Sequence, residues 1–136
     1  MIIAGGRDYD LTAHDCSNIE SLHLNYGIEA VVCGTPYDPE DGKPPTGADQ
    51  CGAAWAYEND ISVIDMPADW DNIARPGAAV RTRRDGKKFD AAAGPDRNRR
   101  MAERATAAAP FPGGRGTASM YREAVKAGLQ IFDYRE

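Results

Sequence analysis

The sequence predicts an α/β protein of three layers, a mainly parallel sheet of about five strands covered by helices on both faces, and two observations carry that prediction. The first is a set of short apolar segments, Met1 to Ala4, Ala30 to Cys33, Ile61 to Met66, Ala107 to Phe111 and Leu129 to Phe132, most of them bounded by Gly or Pro, which read as buried strands. The second is the amphipathic helical stretch that lies between each pair, since strand and helix in alternation call for parallel strands with helices packed on both sides. A chain of 136 residues with 42% hydrophobic content is long enough for one such domain, spanning 1–136, and too short for two.

The helices carry their own punctuation. Thr12 with Asp15 three residues later starts the first in the manner of a capping box, Cys16, Ile19, Leu22 and Tyr26 form its apolar stripe, and Gly27 stops it. The second runs from about Ala48 to Glu58 and is expected to bury Cys51, Ala54 and Trp55. Gly94-Pro95 opens the third, which turns Met101 and Ala105 inward. Alanines carry little strand preference, so the strand at Ala107 to Phe111 rests on its place before a Pro-Gly-Gly turn. The last helix is predicted over about Ala118 to Ala127, with Thr117 as N-cap and Gly128 as the stop. Two insertions interrupt the pattern, at about 36–45 and 71–92. The first is rich in Pro, Asp and Gly, and the second gathers Arg75, Arg81, Arg83, Arg84, Lys87 and Lys88. Both follow the carboxyl end of a strand, where long loops serve as lids or run solvated.

Composition excludes several functions. A formal charge of −5 argues against a general nucleic-acid binder, which needs basic surface to displace counterions. Cys16, Cys33 and Cys51 lack the paired spacing of a zinc or redox site and suit a reduced compartment as structural thiols. No apolar run approaches the ~20 residues of a membrane span, and Gly5 to Asp8 break the apolar start too early for a signal peptide, so the expected location is cytoplasmic. His14 and His23 stand too far apart for a shared metal or triad, and Asp38, Glu40 and Asp41 lack a calcium-loop pattern. No cofactor or metal is expected.

Unusual residues collect at the carboxyl ends of the strands, where such sheets bind ligands. Pro112-Gly113-Gly114-Arg115-Gly116-Thr117 follows a strand and opens a helix, so its amides and the helix amino end can receive a phosphate. Gly5-Gly6-Arg7-Asp8-Tyr9 follows the first strand. Arg7 there suits an anion, Asp8 ribose hydroxyls and Tyr9 a base, although a plain surface turn fits the same residues. Arg97 and Asn98 occupy the first turn of the third helix, pointing toward its amino end. The dinucleotide signature Gly-x-Gly-x-x-Gly is incomplete and no Gly-Lys-Ser/Thr exists, so neither an NAD oxidoreductase nor a P-loop NTPase is supported.

In order, GGRDY, TGAD, MPADW, AGPDRNRRM and PFPGGRGT resemble the YspA-like (cpYpsA-related) branch of the SLOG superfamily across nearly the whole chain outside the two insertions. That superfamily includes the cytokinin-activating LOG phosphoribohydrolases and the DNA-processing protein DprA. The resemblance implies a Rossmann-like fold, a nucleotide-derived ligand and a homodimer or higher assembly. It places Gly113, Gly114, Gly116 and Thr117, with Arg115 among them, around phosphate, matches Arg97 to the arginine of the LOG Arg-Lys-x-x-Met motif, and puts Gly5, Gly6, Gly47 and Asp49 in the same pocket; Gly34, Asp69 and Trp70 join them as ligand-binding candidates.

One departure bears on mechanism. Where the hydrolases carry a glutamate in Pro-Gly-Gly-x-Gly-Thr-x-x-Glu, this chain has Met120, and a thioether cannot stabilise an oxocarbenium ion or activate water. The leading expectation is therefore a protein that senses or sequesters a nucleotide-derived signal, such as a cyclic oligonucleotide or an ADP-ribose derivative. The alternative is a nucleoside-monophosphate N-glycosidase in which Arg97 positions phosphate and Asp8, Asp49 or Asp69 replaces the glutamate. A third is a DNA-associated module like DprA, which the net acidity disfavours.

Overall fold

A computed structural model describes residues 1–135. Its order is β1 (Ile2–Ala4), α1 (Ala13–Tyr26), β2 (Ala30–Cys33), α2 (Gly47–Glu58), β3 (Ser62–Asp65), β4 (Val80–Thr82), β5 (Lys88–Asp90), α3 (Ala93–Arg104), β6 (Ala107–Pro110), α4 (Arg115–Lys126) and β7 (Gln130–Ile131). Five strands form one parallel sheet in the order β3-β2-β1-β6-β7, flanked by the four helices as a Rossmann-like three-layer sandwich.

Strand alternation sorts the core into two halves. Ile3, Val31, Ala107 and Ala109 face Ile19, Trp55 and Ala56 of α1 and α2, while Ile2, Ala4, Val32 and Ala108 face Met101, Ala102, Met120 and Ala124 of α3 and α4. The central strands are buried on both sides, which is why their sequences read as unbroken apolar runs. β6 forms despite its alanines, pairing Ile2 with Ala108 and Ala4 with Pro110, because a strand between two helical layers is held by burial and its ladder rather than by propensity.

From β1 the chain steps outward to β3, then returns to the other side of β1 to lay down β6 and β7. The carboxyl ends of the strands at such a reversal are the usual ligand position in these sheets.

The capping box at the start of α1 is present, with Asp15 N–H donating to Thr12 Oγ1 and Thr12 N–H to Asp15 Oδ2, both at 3.0 Å. Three expectations need correction. α4 begins at Arg115, so Thr117 is a buried residue of its first turn rather than its N-cap, which is Gly114. The buried stripe of α2 is Ala48, Gly52, Ala53, Trp55 and Ala56, with Cys51 and Ala54 half-buried, because Gly52 packs directly on Ile3. The 71–92 insertion is no plain loop: β4 and β5 pair as an antiparallel hairpin in the register Val80↔Asp90. Among the described residues no helix is long and apolar enough to cross a membrane.

Candidate functional site

A cleft of about 920 Å³ opens at the carboxyl edge of the sheet, lined by the loops that follow β1, β2, β3 and β6. Three loops that meet there are knitted by backbone bonds. Gly6 N–H donates to Pro112 O at 2.9 Å, and Ala48 N–H donates to Gly6 O at 3.2 Å. Such close approach requires glycine: a Cβ on Gly5 would stand 2.6 Å from that of Ala48, and one on Gly47, whose φ is +79°, 2.8 Å from Arg7 O.

The amino ends of α2, α3 and α4 all reach this cleft, but they differ in what remains free. In α2, Thr46 N–H donates to Gln50 Oε1, Gly47 N–H to Asp10 Oδ1 and Ala48 N–H to Gly6 O, so the protein itself satisfies them. In α3, Pro95 has no N–H and the Trp70 ring covers Gly94. The amino end of α4 has no side-chain cap, and Ala118 is the first residue whose N–H meets a carbonyl, that of Gly114. Among the described residues, the N–H groups of Arg115, Gly116 and Thr117 take no protein partner, and all three residues line the cleft. Free amides on a helix amino end attract an anion.

Charge points the same way. The ionisable residues lining the cleft are Arg7, Arg97 and Arg115 against Asp49. Arg97 donates from Nη1 to Gly34 O at 2.5 Å and from Nε to Asn98 Oδ1 at 3.0 Å. Burial lowers its pKa, an effect that Asp49 opposes. Burial raises the pKa of Asp49, while Arg97 and the Gly5 N–H work against the rise; Thr35 also donates to its Oδ2, at 3.5 Å. Beneath them burial pushes the Cys33 thiol up to about 12, and its Sγ donates to Thr35 O, so this cysteine is a protonated structural group.

Most residues expected at the site line the cleft: Gly5, Gly6, Arg7, Gly34, Gly47, Asp49, Trp70, Arg97, Asn98, Gly114, Arg115, Gly116 and Thr117. Gly113 does not; it is exposed beside the cleft, although a Cβ on it would meet Thr117 Oγ1 at 2.1 Å and Gly6 N at 2.6 Å. Tyr9 also lies outside, its hydroxyl donating to Asp15 Oδ2 at 2.7 Å and its ring packed on the core, an anchor for α1 rather than a platform for a base. Asp8 and Asp69 are exposed and absent from the lining, which leaves Asp49 as its carboxylate. Met120 lies in the floor, 3% exposed, and Glu123 on the following turn pairs with Lys126.

The basic insertion does not carry its cations to the cleft. Arg75 binds Asp90 and Asp96, Arg83 lies 4.8 Å over the Phe89 ring, and Arg81, Arg84, Lys87 and Lys88 are exposed, where water solvates them. From the 36–45 insertion only Pro36 reaches the lining, while Asp38 and Asp41 accept from the Glu40 and Lys43 N–H groups of their own turns.

Sequence reasoning missed Asp10, Thr35 and Ser119. Ser119 Oγ accepts from Asn98 Nδ2 at 3.2 Å and ties α3 to α4. Its place four residues from Arg115, on the same face of the helix that the Pro-Gly-Gly turn opens, was the available signal.

Fold and cleft together define a Rossmann-like α/β protein with an open cleft at the carboxyl edge of its sheet. No family model, curated protein or solved structure matches the chain significantly.

Proposed function

We propose that this protein binds a nucleotide or nucleotide-derived ligand by its phosphate, and that it senses or sequesters the ligand rather than transforming it. The observation that carries the reading is the uncapped amino end of α4, whose three free N–H groups open into a cleft bearing three arginines. A hydroxyl and a carboxylate, Thr35 and Asp49, lie one loop away, where ribose hydroxyls find both a donor and an acceptor.

The floor supports capture. Met101 and Met120 offer no group able to activate water or stabilise an oxocarbenium ion. One observation favours the second reading, an N-glycosidase: Asp49 is a half-buried carboxylate with a raised pKa inside the cleft, as a general acid requires. Incubation with nucleoside mono- and diphosphates, ADP-ribose and cyclic dinucleotides, followed by denaturation and mass spectrometry of the released compounds, decides between them. Intact ligand is expected; free base with ribose phosphate establishes the glycosidase, and no retained compound removes both. The homodimer that the resemblance implies is part of the same proposal, with sedimentation equilibrium as its test.

A further inference from the structure

The cleft is chemically lopsided. Its α4 end holds free amides with Arg115, whereas the end beneath β3 is built from Pro67, Ala68, Trp70, Gly94 and Pro95, none of them charged. The strands that deliver these ends, β6 and β3, are separated by β1 and β2, so three ladder steps of ~4.8 Å place them about 14 Å apart. A ligand spanning the cleft therefore presents an anion at one end and an apolar, flat group at the other.

Trp70 is the one large aromatic side chain in that lining, and its indole is held from several sides. Its ring rests on the backbone of Gly94, where a Cβ would come within 2.6 Å of Cη2, so any other residue at 94 would displace the indole. Phe89 meets it edge-on, at 6.4 Å between centroids and 61° between planes. Its carbonyl accepts from Asp90 N–H at 2.7 Å. Asp90 is in turn fixed: its carboxylate, fully buried, accepts from Ala79 N–H, Ala92 N–H and Arg75 Nε, and Arg75 also grips Asp96 in the first turn of α3 at 2.6 Å. The clamp thus ties together both ends of the 71–92 insertion and the helix that carries Arg97.

We propose that Trp70 is the platform on which the planar ring of the ligand stacks, that the β4–β5 hairpin is an arm that holds it there, and that Arg75 is the positioning residue of that arm. The inference rests on the proposed nucleotide-binding function and narrows it to a phosphorylated compound bearing a heteroaromatic ring. Indole faces stack on any base, so Trp70 selects for a ring without choosing which one.

The test compares a ligand with a ring and one without. Calorimetric titration of the full chain with AMP and with ribose 5-phosphate is done for the wild type, Trp70→Ala, Trp70→Phe and Arg75→Met, with circular dichroism to check folding. Trp70→Ala is expected to weaken AMP about tenfold or more and to leave ribose 5-phosphate within about twofold, with Trp70→Phe recovering most of the loss. Arg75→Met is expected to weaken AMP alone, by a smaller factor; a purely structural role would weaken both ligands together. If wild-type protein binds AMP no better than ribose 5-phosphate, or if Trp70→Ala lowers both affinities equally or neither, the platform is overturned and the phosphate site stands. If the wild type binds neither compound nor any of the nucleotides above, the proposed function fails first and takes the platform with it.

Discussion

Arg97 donates from Nη1 to the carbonyl oxygen of Gly34 at 2.5 Å, joining the amino-terminal half of α3 to the loop after β2. The contact exists because position 34 has no side chain: a Cβ there would stand 2.7 Å from Nη1 and 3.0 Å from Cζ. Gly34→Ala should therefore displace the guanidinium without touching its charge. Nucleotide affinity measured by calorimetry is expected to fall by about 1.5–3 kcal/mol, the range for a hydrogen bond to a charged group, with little change in melting temperature. An unchanged dissociation constant would show that Arg97 does not meet the ligand.

The glycines of the Pro-Gly-Gly-Arg-Gly-Thr turn divide into two kinds. A Cβ on Gly113 has no room against Thr117 Oγ1 and the Gly6 N–H, whereas one on Gly116 meets nothing within 4 Å. Gly113→Ala should destabilise the fold by about 1–3 kcal/mol, as overpacking does. Gly116→Ala should stabilise it by about 0.4–1 kcal/mol by stiffening the unfolded chain, yet weaken ligand binding because the new methyl projects beside the cleft. Denaturant melts paired with binding isotherms check both; equal stability losses would contradict the division.

Asp49 ties pH to stability. Burial raises its pKa in the folded protein, so between the ordinary carboxylate value and the raised one the native state holds a proton that the unfolded chain has released. Stability must then decline as pH rises through that window. Asp49→Asn removes this component, and its stability curve is expected to be flatter just above pH ~4. Parallel curves for the two proteins would show that Asp49 titrates normally.

Asp90 behaves oppositely. Its burial acts to raise the pKa, but the N–H groups of Ala79 and Ala92 and the Arg75 guanidinium outweigh it and hold the carboxyl below its usual range. Its contribution is present above pH ~4 and lost as pH falls through the lowered value. Acidification should therefore loosen the hairpin. Hydrogen exchange at Ala79 and Ala92 is expected to accelerate at low pH in the wild type and to be fast at all pH values in Asp90→Ala.

Much of the cleft was legible in the sequence because glycines and a helix start are local signals. The Pro-Gly-Gly run, the Gly5-Gly6 pair and Gly47 each mark a place where backbone comes close, and the alternation of strand and helix puts those places on one edge. Tyr9, Asp8 and Asp69 stand in equally suggestive motifs and lie outside the lining. Nothing local distinguishes a tyrosine that faces a ligand from one whose hydroxyl reaches Asp15 six residues on. The hairpin was hidden because its strands are short and exposed, without the apolar alternation that marks a strand against a core.

By itself the sequence determined the class of fold, the succession of the five strands of the main sheet along the chain and the loop that opens α4, since each depends on periodicity, capping or backbone freedom within a few residues. Tertiary structure alone decided which cations reach the cleft. Arg97 bonds Gly34 across 63 positions and lines the cleft, while Arg75, in the basic 71–92 insertion, is consumed by Asp90 and Asp96. The physical reason is that a charged side chain takes its partner from whatever the fold brings within hydrogen-bond reach, and that neighbourhood is written in the packing of distant segments rather than in the residues alongside.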